Sequence, residues 1–264
     1  MITIKTLQEI ELMRRNAQDL CVLLAEVLVR ALPGVSTATL DAAAEASIRA
    51  QGAVPAFKGY RGFPGSICAS INDEIVHGIP SPTRVLREGD VLSVDIGMVR
   101  DGFFADTATT VCVGKTSQRV ERLVAANSHA LRLGIEQARV GNRVGDISHV
   151  IGDYIVSQGY GVVKNFVGHG IGRQMHEDPS VPNFGKAGKG AKLRPGMVLA
   201  IEPMAMEDVG VERVLDDGWT VVSPQGGLAV HLEEMVLITE GQPELLTDGH
   251  SLRAGLEPTA GWSV

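Results

Sequence analysis

A repeat at a spacing of 107 residues restricts the fold of this chain more than any other feature of its sequence. The segment LREGDVLSVD, residues 86–95, aligns with LRPGMVLAIE, residues 193–202. The same offset places Gly34 on Gly141, so the similarity extends beyond one decapeptide. Because repetition at a fixed period indicates copies of one structural unit, we predict two similar halves with a pocket between them.

Each half is predicted to begin with two helices. Thr6 and Glu9 form a capping-box pattern that opens an amphipathic helix, which should continue to about residue 31. Three more helices are expected over residues 39–50, 117–139 and 145–158. No linker or low-complexity stretch divides the chain. We therefore predict a single domain over residues 1–264, in which the two halves cover about 7–113 and 117–239.

Antiparallel strands are predicted after the helices of each half. The runs VLSVDIGMV and FFADTATTVCV flank Arg100-Asp101-Gly102, which is typical of a β-hairpin. Shorter strand-like runs, such as ICASI and EIVHGI, precede this hairpin. The expected fold class is α/β (α+β), with antiparallel sheet covered by helices and an active site in the central seam.

Charge and cysteine content exclude several classes of protein. Lys and Arg total 24 against 31 Asp and Glu, and the net charge of −7 disfavours binding to nucleic acid or to an anionic membrane. The most apolar run, LCVLLAEVLV, contains Glu26 and is too short to span a bilayer. The three cysteines are widely spaced and include no CxxC pair, which suits a reducing compartment. We expect a cytoplasmic protein without a secretion signal.

Asp95 lies within the apolar run VLSVDIG, where a buried charge is costly unless something pairs with it. If Asp101-Gly102 forms a two-residue turn, Asp95 faces Ala108, and Asp106 lies diagonally from it on the same face. The two carboxylates would then lie within bridging distance of a shared cation. A three-residue loop would instead place them on opposite faces of the hairpin.

Two more acids occupy apolar runs in the second half. Glu202 ends MVLAIEP, in register with Asp95 at the 107-residue offset, and Glu233 lies in LAVHLEEMVLIT, which is predicted to form one strand. A single acid of this kind is usually hydrogen-bonded or at a sheet edge. Four in two equivalent hairpins would raise one another's pKa values unless cations lay between them. Two divalent cations would balance four negative charges, so the sequence favours a dinuclear metal site.

The segment GHGIGRQMHEDP contains two histidines seven residues apart. If it were helical, His169 and His176 would lie about 10.5 Å apart, and if extended they would point to opposite faces. We therefore expect His169 to bind a metal and His176 to face the bound substrate. The glycines do not form a nucleotide-binding G-x-G-x-x-G loop, because Arg173 occupies the last glycine position.

His77, in EIVHGIP, is a second candidate for substrate contact, although alone it is more typical of a core histidine. The other histidines are interpreted as solvated or structural: His129, His149, His231 and His250.

Six motifs in this order, NDEIVHGIP, SVDIG, FFADTATTVCVG, VGHGIGRQMHEDP, AIEPM and HLEEMVLIT, make the chain similar to the methionine aminopeptidases of the compact bacterial type. The resemblance covers about residues 4–239. It implies the pita-bread fold, in which two pseudo-symmetric halves surround a dinuclear metal site. It also implies an enzyme that removes N-terminal methionine when the second residue is small.

The resemblance assigns roles to individual positions. It implies five metal ligands: Asp95, Asp106, His169, Glu202 and Glu233. By the same resemblance, Asp106 and Glu233 would bridge both ions, while His169 and Glu202 would share one ion. The cofactor would be two divalent ions, with Co, Mn, Fe and Zn as candidates that the ligand set does not separate.

Catalysis is implied to use a hydroxide activated by the two ions, with Glu202 moving its proton and with His77 and His176 contacting the substrate. A methionine side-chain pocket is implied by six further positions: Tyr60, Phe63, Cys68, Met175, Met204 and Trp219. Three positions depart from the pattern of bacterial members. Met175 replaces an aromatic residue, Val76 a cysteine, and Glu234 the histidine that commonly follows the last ligand.

Two other functions remain open from the sequence. A proline-specific peptidase of the same fold would share the five ligands, although such enzymes usually carry an additional N-terminal domain that this sequence does not show. A non-catalytic pita-bread protein would act as an interaction module, but such proteins have lost ligands that this chain retains. The expected partners are peptide or nascent-protein N-termini. We expect a monomer, and the acidic charge disfavours anything beyond a transient ribosome contact.

Overall fold

The computed structural model describes residues 2–248, and four helices form within this range. They are α1 (Leu7–Leu28), α2 (Thr37–Ala50), α3 (Gln118–Gln137) and α4 (Val144–Ser157), with a short 3-10 helix at Tyr60–Gly62. The capping box predicted from Thr6 and Glu9 is present at the start of α1. No helix within the described range has the length and apolarity needed to cross a bilayer.

Fifteen short strands are found in residues 2–248. Those of the first half are β1 (Val54–Pro55), β2 (Ile67–Ile71), β3 (Glu74–Val76), β4 (Val91–Arg100) and β5 (Phe103–Cys112). Those of the second half are β6 (Gly161–Val162), β7 (Gly168–Gly170), β8 (Glu177–Val181), β9 (Val198–Ile201), β10 (Met204–Met206), β11 (Arg213–Val214), β12 (Val221–Val222), β13 (Ala229–His231), β14 (Glu234–Leu237) and β15 (Glu244–Leu245).

All strand pairs in residues 2–248 are antiparallel. In the first half, β4 pairs with β1, β2 and β5, and in the second half the order is β15-β14-β9-β7-β8. Helix α1 packs on β4 and β5, while α3 and α4 pack against each other over the second half. Helices that cover antiparallel sheets confirm the predicted fold class.

The 107-residue offset recurs in the backbone. Helices α2 and α4 have the same length and begin 107 residues apart. Two isolated β-bridges, Ser36 with Val85 and Arg143 with Lys192, are related by the same offset. Gly34 and Gly141 both adopt positive φ, at 91° and 97°. These matches support our proposal that the chain consists of two copies of one unit.

The run LAVHLEEMVLIT does not form the single strand that the sequence predicts. Strand β13 ends at His231 and β14 begins at Glu234, so Glu233 lies in the break between them. Its backbone pairs instead with Ala108 of β5, with the Glu233 N–H donating to the Ala108 carbonyl at 2.9 Å. At Glu233 the chain therefore leaves the sheet that contains β13 and pairs with β5 of the first half.

Candidate metal centre

The β4–β5 hairpin has the register expected for a two-residue turn. Asp95 pairs with Ala108, and Gly97 pairs with Asp106. Asp101 and Gly102 have φ of 54° and 79°, as a type I′ turn requires. The three-residue alternative is therefore excluded. Since side chains two residues apart on a strand share a face, Asp106 and Ala108 face the same side as Asp95.

Glu233 joins this face from the second half. Ala108 pairs with Asp95 on one side and with Glu233 on the other, so a small side chain separates two acids. The Thr107 hydroxyl donates to the Glu233 carbonyl at 2.9 Å, which fixes the backbone of the break. One atom each of Asp106, His169 and Glu233 lie within 4.8 Å of one another, close enough to hold a common ion.

His169 and Glu202 approach the same point from neighbouring strands. His169 lies in β7 and pairs with Ala200 of β9, and Glu202 follows the end of β9. Nε2 of His169 is 3.7 Å from Oε1 of Glu202 and 4.0 Å from Oδ2 of Asp106. Asp106 of the first half and Glu202 of the second half thus lie in one cleft, on either side of His169.

The glycines beside His169 have a packing role. A Cβ at Gly168 would lie 2.3 Å from the Ala200 carbonyl oxygen, and one at Gly170 would lie 2.3 Å from that of Asp178. Side chains at these positions would push β7 away from β9 and β8. Glycine therefore allows the close strand contact that aims His169 at the acids.

Electrostatics oppose this group of acids in the absence of cations. Burial raises the pKa of Asp95 to about 7, although nearby His231 lowers it in part. Burial, and then the charge of Asp95, hold the pKa of Asp106 well above its ordinary value. Burial and the charge of Asp106 do the same to the pKa of Glu233. Burial also raises the pKa of Glu202, but His231 and His169 outweigh it and the net pKa is lowered.

The donor set fits divalent ions. Within this group of acids, three buried carboxylate oxygens have no hydrogen-bond partner among the described residues: Oδ1 of Asp95, Oδ1 of Asp106 and Oε1 of Glu233. Buried carboxylates are normally hydrogen-bonded or bound to a metal, since an unpaired buried charge is costly. Carboxylate oxygens together with one imidazole suit hard to borderline ions. These three oxygen atoms are therefore available to bind a cation.

His169 and His176 lie side by side, with ring centroids 4.3 Å apart. The expectation that they lie far apart, or on opposite faces, is wrong. It assumed a regular helix or strand, whereas residues 172–176 bend back between β7 and β8. Burial, and then His169, lower the pKa of His176 to about 4, so His176 is neutral at pH 7. The Tyr60 hydroxyl is 2.8 Å from its Nδ1.

His77 follows β3 and adopts a φ of 59°, which is unusual for a residue other than glycine. Its ring lies 5.4 Å from the Phe166 ring and 6.1 Å from the Trp219 ring. Burial lowers its pKa, so it also enters the cleft as a neutral imidazole. Phe166 was not identified from the sequence, and no motif marked it.

Apolar side chains line one wall of the cleft. Five of the six pocket positions implied by the resemblance lie in one cluster: Tyr60, Phe63, Cys68, Met175 and Trp219. Phe63 contacts Trp219 edge to face at 5.1 Å. Cys68 pairs with Asp95 on β4, which places this wall directly beside the acids. Met204 is fully buried in a separate cluster with Val76 and Phe166.

His231 was missed as a site residue. It is buried, and its Nε2 lies 3.6 Å from Oε2 of Glu202. Of the two interpretations given for it, solvated or structural, the solvated one is wrong, because the break after β13 carries His231 into the seam. A sequence signal was available, since His231 and Glu233 are two residues apart and share a face in an extended chain.

The three other histidines interpreted as solvated or structural lie away from the acids or outside the described residues. His129 stacks on Tyr154, His149 is paired with Asp153, and His250 lies outside the described residues.

The sequence matches the model of metallopeptidase family M24 over residues 11–240. A methionine aminopeptidase of Clostridium acetobutylicum is 49% identical over 247 residues, which cover 94% of this chain and 99% of that protein. The crystal structure of methionine aminopeptidase from Thermotoga maritima superposes with a TM-score of 0.91 at 42% identity, covering 94% of this chain and all of the other. This agreement confirms the pita-bread fold.

A more distant similarity connects the chain to a proline-specific enzyme. The Xaa-Pro dipeptidase of Bacillus anthracis superposes with a TM-score of 0.75 at 25% identity. The match covers 93% of this chain but only 62% of that protein. The shared part thus corresponds to one portion of a longer protein, whereas the Thermotoga structure matches over its whole length.

Proposed function

The chain belongs to metallopeptidase family M24 and is a hydrolase, and we propose that it removes the N-terminal methionine from newly made proteins whose second residue is small. The observation that carries this proposal is the group of partnerless carboxylate oxygens at the seam, beside an apolar wall. Identity of 49% to a methionine aminopeptidase over nearly the full chain supports the choice of substrate.

The proposed ligands are Asp95, Asp106, His169, Glu202 and Glu233. By the resemblance to methionine aminopeptidases, Asp106 and Glu233 would be the two acids shared by both ions, and burial together with neighbouring acids raises the pKa of each well above its ordinary value. His169 and Glu202 approach each other and would share one ion. Co, Mn, Fe and Zn all suit such a set of oxygens with one imidazole. Divalent ions held there would supply a hydroxide nucleophile by lowering the pKa of bound water from about 15.7 toward about 7.

The protein side chains would orient the substrate and move protons. Glu202 remains ionised beside two imidazoles, so it is suited to accept a proton from water and pass it to the leaving amine. His176 is neutral, and a hydrogen bond from Tyr60 to Nδ1 would leave Nε2–H to donate to the substrate carbonyl oxygen. His77 would contact the scissile amide. The methionine side chain would lie against Phe63, Met175 and Trp219.

We infer that the rest of the peptide would lie along a groove beside the two histidines. An open groove of about 640 Å³ passes His169 and His176 and is also lined by Thr3, Gln174 and Ser180. A bound peptide that follows this groove would pass both histidines. This arrangement suits an exopeptidase that acts on peptide and nascent-protein N-termini. We propose that it works as a cytoplasmic monomer with at most a transient ribosome contact.

Three peptides test the proposal: Met-Ala-Ser, Met-Leu-Ser and the dipeptide Ala-Pro. Each is incubated with metal-free protein to which Mn²⁺ or Co²⁺ has been restored, and released amino acids are quantified. We expect release of methionine from Met-Ala-Ser, much slower release from Met-Leu-Ser and no cleavage of Ala-Pro. The Asp106→Asn variant is the matched inactive control.

Two results would contradict the proposal. Cleavage of Ala-Pro without cleavage of Met-Ala-Ser would indicate a proline-specific peptidase. Binding of Mn²⁺ or Co²⁺ with no hydrolysis of any of the three peptides would indicate a non-catalytic interaction protein.

A further inference from the structure

His231 presents a buried imidazole to the metal centre without belonging to the five proposed ligands. Its side chain is 2% exposed, and Nε2 has no hydrogen-bond partner among the described residues. The nearest acidic atom that it faces is Oε2 of Glu202, at 3.6 Å. This separation is within ion-pair range and slightly longer than a hydrogen bond.

The backbone of His231 is held firmly. The Thr110 hydroxyl donates to the His231 carbonyl at 2.8 Å, and the His231 N–H donates to the same hydroxyl at 3.0 Å. The Ser93 hydroxyl lies 2.8 Å from that of Thr110 and extends the connection to β4. Strand β13 also pairs with β10, where His231 faces Met204. The backbone that carries the imidazole is therefore held against both halves.

The orientation of the Glu202 carboxylate depends on what contacts its two oxygens. Its Oε1 faces His169, while its backbone carbonyl accepts a hydrogen bond from Asn183 at 3.0 Å. These contacts fix one carboxylate oxygen and the main chain. His231 is the group that faces the remaining oxygen, Oε2.

We propose that His231 is a positioning residue, which orients the Glu202 carboxylate through Nε2 so that Oε1 is directed to the metal. The inference rests on the proposed metal centre. Carboxylates that bind metals are commonly held by an outer hydrogen-bond donor, and loss of such a donor weakens metal binding about 10-fold to 100-fold. His231 would thus act on metal affinity through Glu202, without touching the ion.

The test compares Mn²⁺ affinity by isothermal titration calorimetry in wild-type protein and in variants at His231. His231→Gln keeps a donor that can reach Glu202, whereas His231→Leu and His231→Met remove it. Two apolar variants are made so that the comparison can still be carried out if one of them does not fold, which circular dichroism detects. His149→Leu is the matched control, because His149 also faces a carboxylate, that of Asp153, but on the surface.

We expect His231→Gln and His149→Leu to bind the first Mn²⁺ within about threefold of wild type, and the apolar variants at His231 to bind it at least about tenfold more weakly. Equal affinity in all variants would overturn the inference. Equal weakening of Mn²⁺ binding in His231→Gln and in the apolar variants would also overturn it, because glutamine keeps a hydrogen-bond donor that should still hold Glu202. Absence of Mn²⁺ binding by the wild-type protein would instead contradict the proposed metal centre itself.

Discussion

The Tyr60 hydroxyl lies 2.8 Å from Nδ1 of His176, and the two rings are 5.4 Å apart. The pKa of about 4 leaves the imidazole neutral at pH 7, so a Tyr60 hydroxyl that donates to Nδ1 would place the single ring proton on Nε2. We predict that Tyr60→Phe lowers kcat for Met-Ala-Ser about tenfold without changing Mn²⁺ affinity.

Steady-state kinetics and calorimetry measure the two quantities in parallel. Tyr154→Phe is a suitable control, since Tyr154 stacks on His129 away from the cleft. An unchanged kcat in Tyr60→Phe would show that the hydroxyl does not set the tautomer used in catalysis.

Ala108 pairs with both Asp95 and Glu233 and is 2% exposed. A larger side chain there would project among the acids, whereas Ala105 on the same strand faces the apolar core. We predict that Ala108→Val and Ala105→Val both destabilise the fold by about 1–3 kcal/mol through overpacking. Only Ala108→Val should also weaken Mn²⁺ binding, which calorimetry would detect. Equal Mn²⁺ affinity in the two variants would contradict the placement of the metal beside Ala108.

The buried acids make the stability of metal-free protein depend on pH. Their pKa values are raised in the folded chain, to about 7 for Asp95 and well above the ordinary value for Asp106 and Glu233, whereas the unfolded chain keeps ordinary values. Between pH 7 and 8.5 the folded state therefore binds more protons than the unfolded state, so its stability falls as pH rises. The lowered pKa of His176 makes the stability rise with pH, but only below pH 7.

We predict that the Tm of protein in EDTA falls by about 4 °C or more from pH 7 to pH 8.5. Protein with saturating Mn²⁺ should show no such fall, because bound cations favour the ionised acids throughout. Differential scanning calorimetry at both pH values measures this. A Tm in EDTA that is constant or rises would mean that the acids are ionised without a cation.

Lys5 ties the N-terminal segment to the hairpin that carries His176. Its Nζ lies 2.7 Å from Oε2 of Glu177, and both side chains are buried. Burial raises the pKa of Glu177, but Lys5 outweighs this effect and the net pKa is lowered. Oε1 of Glu177 accepts hydrogen bonds from the backbone N–H groups of Arg173 and Gln174 at 2.8 and 3.2 Å. The ion pair thus supports the bend that places His176 beside His169.

We predict that Lys5→Met lowers the free energy of unfolding by about 3 kcal/mol, because it leaves the buried Glu177 carboxylate without its cation. Arg132→Met, which breaks an exposed ion pair with Glu136, should change it by less than about 1 kcal/mol. Urea denaturation monitored by circular dichroism compares the two. Similar losses in both variants would show that burial does not distinguish these pairs.

The part of the centre built by local pairing was predictable from the sequence. The register of Asp95 with Ala108 follows from the turn at Asp101-Gly102, because a two-residue hairpin loop fixes every pair that follows it. The start of α1 follows in the same way from its capping residues. These features depend on contacts only a few residues apart or on one strand pair.

The parts set by distant contacts were not predictable. His176 reaches His169 because residues 172–176 bend around a carboxylate held by Lys5, which lies about 170 residues away in the sequence. His231 enters the seam because the chain breaks at Glu233 to pair with Ala108. Periodicity describes a regular strand, and it carries no information on where tertiary contacts interrupt one.

We propose that acids from both halves hold two cations in one buried cleft. Crystals of protein loaded with Mn²⁺, measured near the manganese absorption edge, test it most directly by anomalous difference density. We predict two peaks about 3.5–4 Å apart, as in other two-metal sites, among the carboxylates of Asp95, Asp106 and Glu233. Absence of peaks among these side chains, or peaks only at the protein surface, would contradict it.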